Sequence, residues 1–537
     1  MMSLRYTTLL ATIVLGACAQ TSQRPDAALK LPPSYREVCA VTFGTAATAP
    51  LDTWWTGFAD ATFQRVMDHA LADNLGLAQA RARVSQANAI AQAAGARLMP
   101  QVQVRASGAD VSQSLLDPIP RLASGISGFE RQFTQSQVGA GLFWDADLSG
   151  GLAAGRDAAR DDAAASEAAL QAARIGLAAE TAQSYLRMRT AQGRLSVAQQ
   201  QEAVQRRLQD LVTKRVERGV AARRELALAS AALEAVLAGM PTLRAELDAE
   251  LARLDVLMGS APGTYRTELE LEAPLPEPPR IADAQGPVAL LRRRPDIMAA
   301  ELRLAASHSR LAMAQSEYYP KLSLSALLGW SSSVGGRLLT GDALMHDVSA
   351  GIRWRIFDFG RVDAEVANAR GHEAEALAAY RAAVYSAAAE VETAFSALLQ
   401  EELRQRTLER QLAHLQSARD SMNKAYNEGA ASLLDVLDID RQVLATKDQH
   451  WLARLGKARA TVVSFRALGG GWQHPDPRPP AATAAVPSNA TCASHAQAHE
   501  EQTQGHPKLF LPPRGAEPVL PVSGGTHQKQ KPDAKAL

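Results

Sequence analysis

The residues able to do chemistry on this chain are few, and their spacing suits none of the common sites. His495 and His499 stand four apart, as two metal ligands on one helix face would. No third ligand is fixed beside them, so no metal site is expected. Cys18, Cys39 and Cys492 are too few and too scattered for a disulfide framework or a zinc site. The chain has no G-x-S-x-G, H-E-x-x-H, P-loop or C-x-x-C motif. Its many Asp and Glu residues lie at helical spacing opposite Lys and Arg, as on solvated helix faces. An enzyme is therefore not expected, and no cofactor is expected beyond a covalent lipid. With 57 Lys and Arg against 56 Asp and Glu, the formal charge of +1 offers no electrostatic case for a nucleic-acid partner.

The one reactive side chain with a clear setting is Cys18. Arg5 and the short apolar run Leu9 to Leu15 read as a secretory signal, too brief to span a bilayer as a stop-transfer helix. The run ends Leu15-Gly16-Ala17-Cys18, which resembles the bacterial lipobox, where the cysteine becomes the lipidated first residue of the mature protein. Ala19 follows, and the lack of aspartate there resembles outer-membrane sorting of lipoproteins. Beyond the signal, no stretch of about 18 uncharged apolar residues is read, which leaves strands as the means of spanning a membrane.

The elements behind these residues come in two similar sets. A helix from Phe63 to Ala72 and another from Leu75 to Leu98 stop at Pro100, and Pro295 to Tyr319 stops at Pro320. Each is followed by alternating residues that read as a hairpin of strands: Gln101 to Ala106 with Gln137 to Trp144, and Lys321 to Leu328 with the strand from Val348. Val102, Val104, Val138, Ala140, Leu142, Leu322, Leu324, Val348, Ala350, Ile352 and Trp354 fall on one face. Gln101, Gln103, Arg105, Lys321, Ser323, Ser325, Ser349, Arg353 and Arg355 fall on the other. An ordinary sheet on a helical layer gives the same alternation. The outer-membrane address and the arginines of the polar face favour transmembrane barrel strands, with Trp144, Trp330 and Trp354 as interfacial girdles. Barrels need at least about eight strands, so several chains would share one.

Each hairpin leads into a proline-free, alanine-rich helix, Gly155 to Arg218 and Val362 to Glu428, on the order of 100 Å long. Gly219 and Gly429 then turn the chain into a returning helix, the first expected to kink at Pro241 and the second capped by Ser432. Such helices cannot bury a face alone and must pack on each other or on neighbouring chains. The organisation expected is a signal over 1–17, a lipid-anchored segment over 18–60, a first repeat over 61–258, a connector over 259–288, a second repeat over 289–472, and a disordered tail over 473–537.

Leu51 to Asp60 (LDTWWTGFAD), Arg292 to Ala326 (opening RRRPDIMAAEL), Trp354 to Arg361 (WRIFDFGR), Asn427 to Arg441 (NEGAASLLDVLDIDR) and ALGGGW, ending at Trp472, are together similar to the lipoprotein branch of the TolC-type outer membrane efflux proteins, the NodT family. The resemblance covers Leu51 to Trp472. It implies a homotrimer in which each chain gives four strands to one twelve-stranded barrel in the outer membrane, while the helices form a tunnel across the periplasm. A periplasmic adaptor and an inner-membrane RND pump would meet that tunnel, making the chain the passive duct of a tripartite system exporting drugs, solvents or other small molecules. The tail beyond Trp472 departs from the family.

The same resemblance places a periplasmic gate at Tyr426, Leu434, Asp438 and Arg441, with an acidic position of the first hairpin at Glu225. Asp438 and Arg441 are three apart on one helix face and can pair locally or across a tunnel, with Leu434 one turn before Asp438. Arg223 and Arg224 look unlike the usual family tip. Two other readings stay open from the sequence: a TolC-like duct for type I protein secretion, and a lipid-anchored periplasmic coiled-coil scaffold, which would have no use for amphipathic strands.

Overall fold

The computed structural model describes residues 48–281 and 292–473, with positions 32, 35 and 288. Cys18, Cys39, Cys492, His495, His499, the signal segment and residues 474–537 lie outside the described residues.

Helix α1 (Ala61–Asp73) starts where the Asp60 carboxylate accepts from the Thr62 and Phe63 amides, and it buries Phe63, Val66, Met67, Ala70 and Leu71. Asn74 ends it and begins α2 (Leu75–Ala96), its side chain accepting from the Leu77 amide. Strands β1 (Gln101–Ser112) and β2 (Gln132–Ala146) follow, joined through a short helix, Pro118–Ala123. The long helix α3 (Gly151–Glu217) and the returning α4 (Arg223–Leu257) complete the first set. The order recurs with α5 (Pro295–Gln315), β3 (Lys321–Ser332), β4 (Leu344–Arg353), α6 (Arg361–Asn427) and α7 (Leu433–Ala467). Both long helices have 67 residues and both returning helices 35. Glycine in left-handed conformation opens each long helix, Gly150 (φ 72°) and Gly360 (φ 83°), where only a residue without Cβ adopts the turn freely. Asp147 and Asp358 cap those helices through backbone amides.

The four strands form one antiparallel sheet in the order β1-β2-β3-β4. Val102 pairs with Leu142, Leu142 with Ala326, and Ala326 with Val348, which puts the expected apolar set on one face. Lys321 pairs with Arg353 and Ser325 with Ser349 on the other. Phe143 and Leu327 also lie on that second face, so it is less polar than the alternation implied. The sheet is open: β1 and β4 are its edges, and its apolar face is bare, with Val104 77 % and Val348 80 % exposed. Trp144 and Trp354 each clip a strand to the helix before its hairpin, donating from Nε1 to the carbonyls of Leu98 (3.0 Å) and Tyr318 (2.9 Å).

Several boundaries differ from the sequence reading. β1 and β2 extend well into the segment read as a loop, because ladder pairing from Ser107–Gln137 out to Ser112–Gln132 overrides local Gly and Ser. β4 begins earlier, at Leu344, and Trp354, Arg355 and Ile356 fall beyond its end. Pro241 lies inside one uninterrupted helix on an exposed face, where water can satisfy the carbonyl its ring leaves unpaired. In α4 the apolar run is long, but Glu234 interrupts it, so it is not an uncharged stretch of about 18 residues. By length and composition α4 is apolar enough to cross a membrane, with a mean hydropathy of 1.6, since alanine and leucine fill its middle. The chain itself covers little of that stretch.

The core lies midway along the long helices. The 3₁₀ segment Leu51–Phe58 inserts Trp54 and Phe58 there, Trp54 stacking on Phe465 of α7 at 5.5 Å. Phe63 stacks on Tyr185 of α3 at 5.0 Å. Burial, followed by the hydrogen bond to Asp60, pushes the Tyr185 hydroxyl far above its ordinary pKa. Arg189, 2 % exposed, donates to Tyr185, Gln192 and the Leu271 carbonyl, tying the connector to α3. Arg294 of the RRRPD stretch joins Asp296, Glu390 of α6 and the last-turn carbonyl of Ala467.

Candidate gate at the helical tips

The far ends of the helices, remote from the sheet, form two turns of one design. Gly219 (φ 72°) and Gly429 (φ 79°) let Val220 and Ala430 donate back to the carbonyls of Arg215 and Ala425, at 2.8 Å in both cases. The second returning helix has a full capping box between Ser432 and Asp435, whereas the first begins at Ala222 with no side-chain cap. The Ser432 hydroxyl and amide hold the Asp435 carboxyl below the usual aspartate range.

Behind the turns the two hairpins pack through Val212, Ala229 and Leu433, all buried, with Leu208, Val216, Leu226, Tyr426 and Leu437 around them. Tyr426 is half-buried and receives a hydrogen bond at 2.6 Å from Arg215 Nη1, whose guanidinium also lies 5.2 Å from the ring centroid. Arg215 comes from α3, so this contact joins the first hairpin to the second. About two turns up, Asp440 is 4 % exposed and accepts from Arg419 across α6 and α7.

The residues expected at the gate separate into two groups. Tyr426 sits in the cross-hairpin cluster. Leu434 (59 % exposed), Asp438 and Arg441 lie along one outward stripe of α7. Arg441 donates to Asp438 at 2.8 Å and Gln442 donates to its other oxygen at 2.7 Å. These bonds, Arg441 first, hold the Asp438 carboxyl below the usual aspartate range. Glu225 is in the first turn of α4, next to Leu226 of the cross-hairpin cluster, and its side chain makes no hydrogen bond or ion pair among the described residues. Arg215, Leu433 and Gln442 were not singled out from sequence. Leu433, the neighbour of the residue that was, carries the packing.

Among the described residues no group of His, Cys, Asp and Glu could hold a metal ion. A cavity of about 760 Å³ lies between the sheet and the helices and is lined by charged side chains including Arg97, Lys321, Arg353 and Glu365.

Residues 66–260 and 286–470 each match the outer membrane efflux protein family. The chain belongs to that family. It is 31 % identical over 437 residues to the pyoverdine export outer membrane protein OpmQ of Pseudomonas putida, covering 81 % of this chain and 92 % of that one. It is 26 % identical to nodulation protein T of Rhizobium leguminosarum bv. viciae, covering 92 % and 99 %. Among solved structures it resembles the outer-membrane channel OprN, with a TM-score of 0.75 and 29 % identity over 84 % of this chain and 99 % of that one. This outer membrane efflux protein therefore carries its sheet and its long helices in the arrangement of a known channel.

Proposed function

We propose that three copies of the chain close one twelve-stranded barrel in the outer membrane and continue it as a helical tunnel through the periplasm. The observation that carries this is the open four-stranded sheet, whose two long edges and bare apolar face demand other strands and lipid. The apolar and largely uncovered α4 is the surface against which neighbouring helices would pack. The duct is passive and has no catalytic step. It serves a tripartite RND-type system, receiving solute from an inner-membrane pump through a periplasmic adaptor at the helical tips. The 31 % identical relative named for pyoverdine export favours a small solute over a secreted protein. Four amphipathic strands argue against a periplasmic scaffold. Tyr426, Leu434, Asp438 and Arg441 close the tips, with Glu225 nearby, and lipid on Cys18 anchors the mature N-terminus.

Outer membranes from expressing cells should yield a heat-modifiable trimer that conducts ions in planar bilayers. A monomer in the soluble periplasmic fraction would overturn the reading. Labelled palmitate should enter the protein and be lost from Cys18→Ser, while the trimer still forms.

A further inference from the structure

The two tips share a backbone but differ in charge: Lys214 has its counterpart in Lys424, and Glu217 and Glu225 flank the first tip's arginines, yet that tip keeps an excess of cations. On the first, Lys214, Arg218, Arg223 and Arg224 are all exposed, and none makes a side-chain hydrogen bond or ion pair among the described residues. At the matching positions of the second tip, Glu428 replaces Arg218 and Leu433 and Leu434 replace the arginine pair. Helix stability does not explain the arginines. Cations in the first turn of α4 oppose the helix dipole, and that helix start has no side-chain cap. Val220, 67 % exposed between them, adds an apolar contact at the apex of the turn.

We propose that the first tip, Arg218 to Arg224, is a docking surface for an acidic helical-hairpin turn of a partner protein, so that charge decides which adaptor the duct accepts. The proposal rests on the tips being the end that meets the adaptor. Arginine suits the task because its planar fork takes a carboxylate in two hydrogen bonds and is weakly hydrated, so ordering it on a partner costs less than ordering lysine. Unpaired cations of one sign also speed the encounter with an acidic partner and repel a basic one. The second tip, with Glu428 and Asp435, would not tolerate the same partner turn, which fixes the rotational register of docking.

The test uses the full-length trimer in detergent and three disulfide-closed helical-hairpin peptides that differ only in bearing glutamate, glutamine or lysine at the turn. The glutamate hairpin should bind at least about tenfold tighter than the glutamine one, and the preference should collapse at high salt. Arg218→Gln/Arg223→Gln/Arg224→Gln should erase it, Glu428→Gln should leave it, and Arg223→Glu/Arg224→Glu should transfer it to the lysine hairpin. Equal binding of the glutamate and glutamine hairpins by the wild-type trimer would overturn the proposal, as would competition by phosphatidylglycerol vesicles as effective as that by the glutamate hairpin. Bilayer conductance of the same samples separates the two readings: a conducting trimer without the preference removes the docking surface and leaves the duct.

Discussion

The bond between Arg215 and Tyr426 gives the most direct test of the proposed closure at the tips. Opening that draws the second hairpin away from the first must break a 2.6 Å hydrogen bond and a ring contact at 5.2 Å. A hydrogen bond from a charged donor in a half-buried setting contributes about 1 kcal/mol net at the low end, and the cation over the ring adds about 0.5–1 kcal/mol. Tyr426→Phe deletes the hydrogen bond and keeps the ring, and a loss of about 1 kcal/mol is a factor of about five in a two-state equilibrium. If three chains open together the factors multiply, to about a hundredfold. Arg215→Ala removes both contacts and should act more strongly, and adding Tyr426→Phe to it should change little further, because the two share one interaction. The assay is closed dwell time in single-channel records from planar bilayers, with circular dichroism to show that the helices persist. Dwell times unchanged in both single variants would refute the latch. Additive effects in the double variant would show that the residues act separately.

Three further outcomes follow from named contacts. Because its pKa is depressed in the folded protein, Asp438 stays charged above the ordinary aspartate value of 3.8, and any contact that needs its charge is lost only as pH falls through the depressed value. An acid-induced rise in conductance should therefore appear only below that ordinary value, and Asp438→Asn should already conduct more at neutral pH; conductance unchanged in Asp438→Asn and Arg441→Ala removes both from the gate. Trp144→Phe should lower the temperature at which the trimer dissociates on a gel, losing a hydrogen bond of about 1 kcal/mol per chain, and Trp354→Phe should do less, its side chain being more exposed. A Cβ at position 329 would stand 2.5 Å from the Val138 carbonyl oxygen and 2.6 Å from the Gly139 Cα, so Gly329→Ala should push β2 and β3 apart and block membrane assembly, whereas Gly335→Ala, with open space around it, should assemble normally.

The order of elements was legible because strong punctuation marks it: Pro100 and Pro320 end helices, Gly219 and Gly429 turn them, and period-two alternation assigns the strand faces. Boundaries were less so. The ladder that extends β1 to Ser112 depends on a partner strand some residues away, and the local Gly and Ser argue against it. The role of Trp54 was invisible, since a 3₁₀ segment has no long periodicity and its stacking partner Phe465 lies far along the chain. The same distance hid Arg215, whose partner is 211 residues away. The exchange of Leu434 for Leu433 is a matter of helical phase. Ser432 and Asp435 set where α7 begins, and one residue of phase decides which leucine is buried.

That phase divides the proposed gate residues by mechanism. Tyr426 finds its partner in its own chain, and Leu433 is already buried there. Leu434, Asp438 and Arg441 share an exposed stripe, and the hydrogen bonds between its side chains stay within α7. An i,i+3 pair on an exposed face is worth little by itself and holds no hairpin in place. If those three residues close an aperture, they do so against another copy, with the local pair as the state they return to when it withdraws. Closure then has two parts, an internal latch that sets the angle between the hairpins of one chain and an external contact that exists only in the assembly. Replacing Tyr426 should alter proteolytic nicking at the tips of dissociated chains. Replacing Leu434 should alter it in the trimer and leave dissociated chains unchanged.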